Sequence, residues 1–355
     1  MKKASIISMA IFAIIFVLWG CSSTESLTDF IDDQSALLTK HEREHIIQLN
    51  RKLLEELDIH IKVGILKAAS PDINQKAIQL FDENALGKKT RRAKGVLFLV
   101  DPAGKQVRVE IGYDLEAVFT DGFIGYIERK QMVPFFQAGK VGPGIEATVE
   151  LLVGKALGTI DSSDYILGQK QTAVGTHYSG GSGARTEVKI GSGITKKQTT
   201  PLAHQFDPQP SPQMVLEKYM QILELHIKDP NLELYTPETR EFFKKWIVTD
   251  AQQDNSLRDL AKTVTQTTVF QHGNLAVIRF PITNRHGAPY FLRRNNKGWM
   301  LDFVTMNKTI GFNHKNQWFF RIRNHSFMFG FEDVFFDKNG FPHTAPRGGP
   351  QGAVP

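Results

Sequence analysis

The spacing of apolar residues changes from segment to segment along this chain, and each spacing names an element. Ile46, Leu49, Leu53, Leu54 and Leu57 recur at helical intervals behind Thr39, and Glu42 stands three residues after that threonine as the second half of a capping box, so a helix is expected from about 40 to 57. Ile59 to Ile65 alternates apolar with polar, the period of a strand, and a second helix follows at roughly 71–84. Gly95 to Asp101 is an unbroken apolar run that fits a central strand buried on both faces. Pro102 to Lys105 then supplies a turn, and Gln106 to Tyr113 alternates as the hairpin partner. Helical stretches at about 121–137 and 141–157 complete a three-layer α/β unit.

From 159 to 210 the periodicity fades, and Gly180-Gly181-Ser182-Gly183, Gly191-Ser192-Gly193 and Pro208-Gln209-Pro210 read as a flexible linker whose flanking units need not pack together. A second unit is expected over 211–345. It opens with a helix carrying Val215, Tyr219, Ile222, Leu223 and Leu225, then one carrying Phe242, Phe243 and Trp246. Val269 to Thr283, Pro289 to Asn295 and Trp299 to Met306 read as a strand meander turning at 285–287 and 295–298. Helices followed by antiparallel strands make this unit α+β. Residues 312–341 then hold nine phenylalanines and Trp318, which either pack on the sheet as an extra hairpin or form a flap that touches a membrane or partner.

Lys2 and Lys3 precede an apolar run from Ala4 to Trp19, about sixteen residues against the ~20 a spanning helix needs, so residues 1–20 read as a secretory signal peptide, with an uncleaved signal anchor as the alternative. Leu18-Trp19-Gly20-Cys21, followed by Ser22-Ser23-Thr24, resembles a bacterial lipobox. That resemblance implies cleavage before Cys21, the only cysteine, and its diacylglyceryl and N-acyl (palmitate-type) modification, with Trp19 bulkier than the pattern usually holds. Ser22 after the cysteine implies an outer membrane, with the protein facing the periplasm. The net charge of +6 does not argue for nucleic acid. Residues 24–160 hold 18 Lys/Arg against 20 Asp/Glu, and residues 211–345 hold 17 against 13, so no segment concentrates charge into a phosphate-tracking groove.

His41-Glu42-Arg43-Glu44-His45 matches H-E-x-x-H, but Arg43 and Glu44 are both charged and Glu42 already serves as a cap, which argues against a buried zinc helix. Nucleophile-elbow, phosphate-loop and cysteine chemistries have no matching residues. What remains is a set of carboxylates, Asp101, Asp114, Glu116 and Asp121, expected near the end of the central strand, where hard oxygens suit Ca²⁺ or Mg²⁺. Each has a plain structural reading too, as turn former, helix cap or solvated side chain.

Ile31-Asp32-Asp33, Gly95 to Val100, Val107 to Glu116, Asp121, and Pro134-Phe135-Phe136-Gln137-Ala138-Gly139-Lys140 with Gly144-Ile145 together resemble the TPM domain, over about 27–158. The resemblance implies an α/β sandwich, adds Asp33 to the carboxylates, and carries acid phosphatase activity and calcium binding as traits of some members. Here Asp114 stands where the family turn often has a second glycine. The second unit, with Tyr290 to Arg294 and Gly298 to Asp302, resembles the nuclear-transport-factor-2-like (SnoaL-like) cone over about 211–310, a fold of which some members are enzymes and many only bind or dimerise. The expectation is thus an envelope lipoprotein, held to the membrane by its lipid. It would serve an envelope protein partner as an accessory or assembly factor, with a divalent cation on Asp33, Asp101, Asp114, Glu116 and Asp121. The alternative is a metal-dependent acid phosphatase using those carboxylates, with Lys88, Lys89, Arg91, Arg92 and Lys94 available as phosphate contacts.

Overall fold

The computed structural model describes residues 29–158, 183–191, 203–283 and 285–344. The signal segment and Cys21 lie outside the described residues. The N-terminal unit runs β1 (Ile31–Asp33), α1 (Lys40–Leu57), β2 (His60–Ile65), α2 (Ile73–Glu83), β3 (Gly95–Asp101), β4 (Gln106–Ile111), α3 (Asp121–Ile127), a π-helical turn Glu128–Met132, α4 (Val133–Gln137), α5 (Val141–Ala156) and β5 (Gly183–Glu187). These strands form one sheet in the order β1-β2-β3-β4-β5, with β1, β2 and β3 parallel and β4 and β5 each antiparallel to the strand before it. The two β-α-β crossovers need helices to cover both faces. Val96, Phe98 and Val100 face the core beneath α1 and α3 to α5, while Leu97 and Leu99 meet Ile73 and Ala77 of α2 on the other face.

Local chemistry fixes the ends. Thr39 and Glu42 close the capping box on α1, and Asp72 caps α2. Gly144 lets α5 come down on α4, since a Cβ there would stand 2.7 Å from Cβ of Phe135. Part of the span expected to be linker is therefore structural: β5 adds the edge strand to the first sheet, and Phe206 and Gln209 belong to the second unit. The rest of 159–210 lies outside the described residues.

The second unit comprises α6 (Pro212–Glu224), α7 (Pro237–Lys245), α8 (Asp250–Thr263), β6 (Thr268–His272), β7 (Leu275–Arg279), β8 (Tyr290–Arg294), β9 (Trp299–Leu301), α9 (Phe303–Thr309) and the hairpins β10 (Ile310–Phe312) with β11 (Trp318–Phe320) and β12 (Val334–Phe336) with β13 (Pro342–Thr344). The expected strand 269–283 is two strands reversing at Gly273-Asn274, and 303–306 is helix because Asp302 caps it by accepting from Thr305 N–H at 3.0 Å. Within the meander β6-β7-β8-β9, strands β7 and β8 are buried on both faces, while β6 is the exposed edge. Ala276, Ile278, Leu292, Trp299 and Leu301 face α6 and α8, and the alternate residues Val277 and Phe291 face Trp318, Phe320, Phe327 and Phe331. The aromatic-rich stretch is thus the cover of the sheet's second face. Among the described residues no helix is long and apolar enough to cross a membrane.

The two units dock on one another, against the expectation that they need not. α8 lies on the π-helical turn, and Ala251 enters the first unit's core. Thr249 donates to Gln131, Tyr126 to Asp254, and Lys140 Nζ to the carbonyl of Lys245 at 2.8 Å. Asp250 accepts from Lys130 at 2.7 Å and from Lys228 of its own unit. On a second margin Glu56 meets His314 and Lys315, each at 2.8 Å, and Asn316 donates to the carbonyl of Glu150 at 3.1 Å.

Candidate functional site

The five carboxylates do not converge. Because β4 returns antiparallel to β3, pairing Val96 with Ile111 and Asp101 with Gln106, the turn after β4 lies at the start of β3. Asp33 and Asp101 sit at the C-terminal ends of their strands, while Asp114 and Glu116 sit at the opposite end, about 20 Å away at ~3.3 Å per residue along β3. This corrects the grouping expected from the sequence.

Three of the five are also committed to the backbone. Asp33 accepts from Leu37 N–H at 3.1 Å and Leu38 N–H at 3.0 Å, and pairs with Arg43 at 3.0 Å. Asp101 is fully buried and accepts from Ser70 N–H at 2.7 Å and Gly104 N–H at 2.6 Å. Position 104 must be glycine for this, since a Cβ there would lie 2.4 Å from Asp101 Oδ2. Asp114 accepts from Ala93 N–H at 3.0 Å and so ties the turn after β4 to the loop before β3. Glu116 is half-buried with no side-chain partner among the described residues. Asp121 opens α3 behind its cap Thr120, and its side chain lies outside the described part. Carboxylates bonded to backbone amides in this way hold turns together. Calcium or magnesium therefore does not fit these residues as one site, and among the described residues no three His, Cys, Asp or Glu side chains are grouped to hold a metal.

Charge that the sequence reading did not single out is concentrated in two places. On the α2 face of the first sheet, Arg108 donates through Nε to Glu110 at 2.9 Å and through a terminal nitrogen to Asn74 at 2.8 Å, all beneath α2. Lys62, buried on β2 with β3 between it and this pair, donates to Asn84, and burial lowers its pKa. The alternation of β2 and β4 marked these positions as polar; that they face a helix is set by the parallel crossover. The second place is the docking seam. Asp250 would be raised by burial, but the hydrogen bonds and charges of Lys130 and Lys228 more than offset that and bring it down to about 2. Asp254 joins Tyr126 to His226 Nε2, the latter at 2.6 Å. Glu128 in the π-helical turn is fully buried and accepts from Val109 N–H of β4 at 3.0 Å.

His41 and His45 stack at 6.4 Å, with His45 bonded to Glu146 at 2.7 Å, which raises its pKa, while Glu42 is the capping partner its position indicated. In the second unit Phe303 packs against Tyr219, Tyr235 and Tyr290, whose hydroxyls have no hydrogen-bond partner among the described residues and whose pKa values burial raises.

A solved solution structure of the N-terminal domain of a protein from P. gingivalis is similar to this chain at 21% identity, covering 37% of this chain and 84% of that one, with a TM-score of 0.34. No curated protein matches. The family model of the TPM domain matches residues 31–155, the stretch from β1 into the last turn of α5. The N-terminal unit carries a TPM domain.

Proposed function

We propose that this chain is an envelope lipoprotein whose TPM domain and second unit act as one accessory or assembly factor for other envelope proteins, without a reaction of its own. The observation that carries the non-catalytic part is the commitment of Asp33, Asp101 and Asp114 to backbone amides at two separate ends of the sheet. A general acid, base or metal ligand works with a carboxylate free to face a substrate, and each of these has at least one oxygen engaged by the chain itself. The lipid anchor at Cys21, the periplasmic face of an outer membrane as its location and an envelope protein as its partner rest on the lipobox pattern and the balanced charge.

The test pairs two readouts on the full chain. Palmitate labelling should mark the wild type and not Cys21→Ala, which should leave the membrane fraction. Phosphate-ester turnover with and without Ca²⁺ or Mg²⁺ should stay at background. Metal-dependent turnover that Glu116→Gln abolishes would replace this reading with a metal-dependent acid phosphatase, the second reading, which the family designation supports.

A further inference from the structure

In the second unit three tyrosines close round one phenylalanine and leave their hydroxyls unused. Between ring centroids, Phe303 at the start of α9 lies 5.3 Å from Tyr219 of α6, 6.0 Å from Tyr235 ahead of α7 and 6.1 Å from Tyr290 of β8, with Phe243 of α7 also at 5.3 Å. Burial raises the pKa of all three phenols. Tyr219 raises those of Tyr235 and Tyr290 further, and Tyr235 adds to the rise at Tyr290, so the three oxygens share one neighbourhood and keep their protons at neutral pH. Tyr235 is 4% exposed, and neither its hydroxyl nor those of the half-buried Tyr219 and Tyr290 has a hydrogen-bond partner among the described residues. None of the three oxygens is sealed off, so they open into a recess bordered by α6, α9 and β8 instead of ending in packed carbon. Each phenol therefore offers a donor and an acceptor to whatever enters.

Asp259 of α8 stands at the same recess. Its charge adds to the rise of the Tyr290 pKa, and its own half-buried carboxyl, which has no hydrogen-bond partner among the described residues, is raised by burial. Lys262, Arg258 and His286 act on it in the opposite sense, so their positive charge offsets the attraction that Asp259 would hold for a cation. An anion entering the recess would meet the carboxylate. What fits is an uncharged molecule, with a flat apolar body for the rings and a hydroxyl that accepts from one phenol while it donates to another or to Asp259.

We propose that the recess among Tyr219, Tyr235, Tyr290, Phe303 and Asp259 binds a small uncharged ring compound that carries a hydroxyl group. The site lies wholly within the second unit and goes beyond the accessory role proposed above. The rings supply the apolar contact area, and the three hydroxyls select for an oxygen on the ligand.

The experiment uses the full chain with Cys21→Ala, so that no acyl chain takes up the probe. It is titrated with p-cresol and with toluene, which share a body and differ by one hydroxyl, and binding is followed by ligand-observed NMR. p-Cresol should bind saturably and about tenfold more tightly than toluene, the worth of a hydrogen bond to a buried donor. Tyr219→Phe, Tyr235→Phe and Tyr290→Phe together should erase that preference and leave toluene binding in place. The melting temperature of this variant should not fall, because the hydroxyls removed have no protein partner to lose; if it does fall, Tyr235→Phe alone repeats the comparison and should reduce the preference. 4-Hydroxybenzoate should bind at least tenfold more weakly than p-cresol, and Asp259→Asn should narrow that gap. Absence of saturable p-cresol binding overturns the proposal in favour of a recess that holds water alone. Equal affinity of the wild type for p-cresol and toluene, or an undiminished preference in the tyrosine variants, overturns it as well. Palmitate labelling, which tests the lipoprotein reading, does not depend on this site, so either can fail while the other stands.

Discussion

Asp250 is the residue through which the seam between the two units is best tested. Its carboxylate is 18% exposed and bridges Lys130 of the first unit and Lys228 of the second, and it opens α8 directly behind the cap Thr249. Its pKa falls from the ordinary 3.8 to about 2. A tenfold change in proton affinity is worth ~1.4 kcal/mol, so the drop corresponds to about 2 kcal/mol of folding free energy. The group is depressed in the folded state, so this stability is fully present above pH ~4 and is lost as pH falls through about 2.

Asp250→Asn keeps the shape, removes the charge and leaves Lys228 without its anion. The variant should lose about 2 kcal/mol at neutral pH, with ~0.5 kcal/mol of that from the lost negative charge in the first turn of α8. It should also lose the extra acid sensitivity of the wild type between pH 4 and pH 2. Urea unfolding of the full chain, followed by tryptophan fluorescence at pH 7 and in steps below pH 4, measures both. A neutral-pH cost under about 0.5 kcal/mol would refute the bridge, since that is the size of an ordinary exposed pair. A variant that still loses as much stability as the wild type over the acid range would place the proton uptake elsewhere. Lys130→Met in the Asp250→Asn background should add little, because the partners act through one carboxylate.

Millimolar Ca²⁺ or Mg²⁺ should leave the melting temperature of the full chain unchanged, because the carboxylates of Asp33, Asp101 and Asp114 already hold amides; a saturable rise removed by Glu116→Ala would show a site there. Arg108→Met removes the guanidinium bonded to buried Glu110 and should destabilise the fold, by about 3–5 kcal/mol if it behaves as a buried pair that loses one member, and Arg108→Met with Glu110→Leu should recover most of the loss, both read from denaturant midpoints. A single variant no less stable than the wild type would mean that the pair is not buried in solution.

Much of the first unit was legible because its signals are local. The Thr39 and Glu42 box, the apolar run of β3 and the Pro102 to Lys105 turn each depend on residues a few positions apart. β5 was not legible: Gly183-Ala184-Arg185-Thr186-Glu187 lies in a glycine-rich stretch without apolar alternation, and it becomes a strand because β4 offers a free edge. α8 carries few apolar residues, yet Thr249 and Gln252 form a capping box that could have marked it, as Gly273-Asn274 could have split β6 from β7. The carboxylate grouping failed on direction alone. A hairpin carries the chain back, so residues close in sequence on either side of β4 end up at opposite ends of β3.

The docking seam escaped for a different reason. Tyr126, Lys130 and Gln131 are polar-tipped residues of the helical stretch expected at about 121–137, and the second unit supplies Asp254, Asp250 and Thr249 to meet them. A polar face saturated by a partner's polar side chains has the same pattern as a hydrated one. Gln131 and Glu128 are nevertheless fully buried, and among the described residues the buried amide nitrogen of Gln131 has no acceptor, so beside the Ala251 contact the seam depends on a limited set of directional bonds. Apolar interfaces tolerate sliding because burial is non-directional, whereas this one fixes a register, and Asp250, shared by two lysines, is where that register is most exposed to change by pH or mutation.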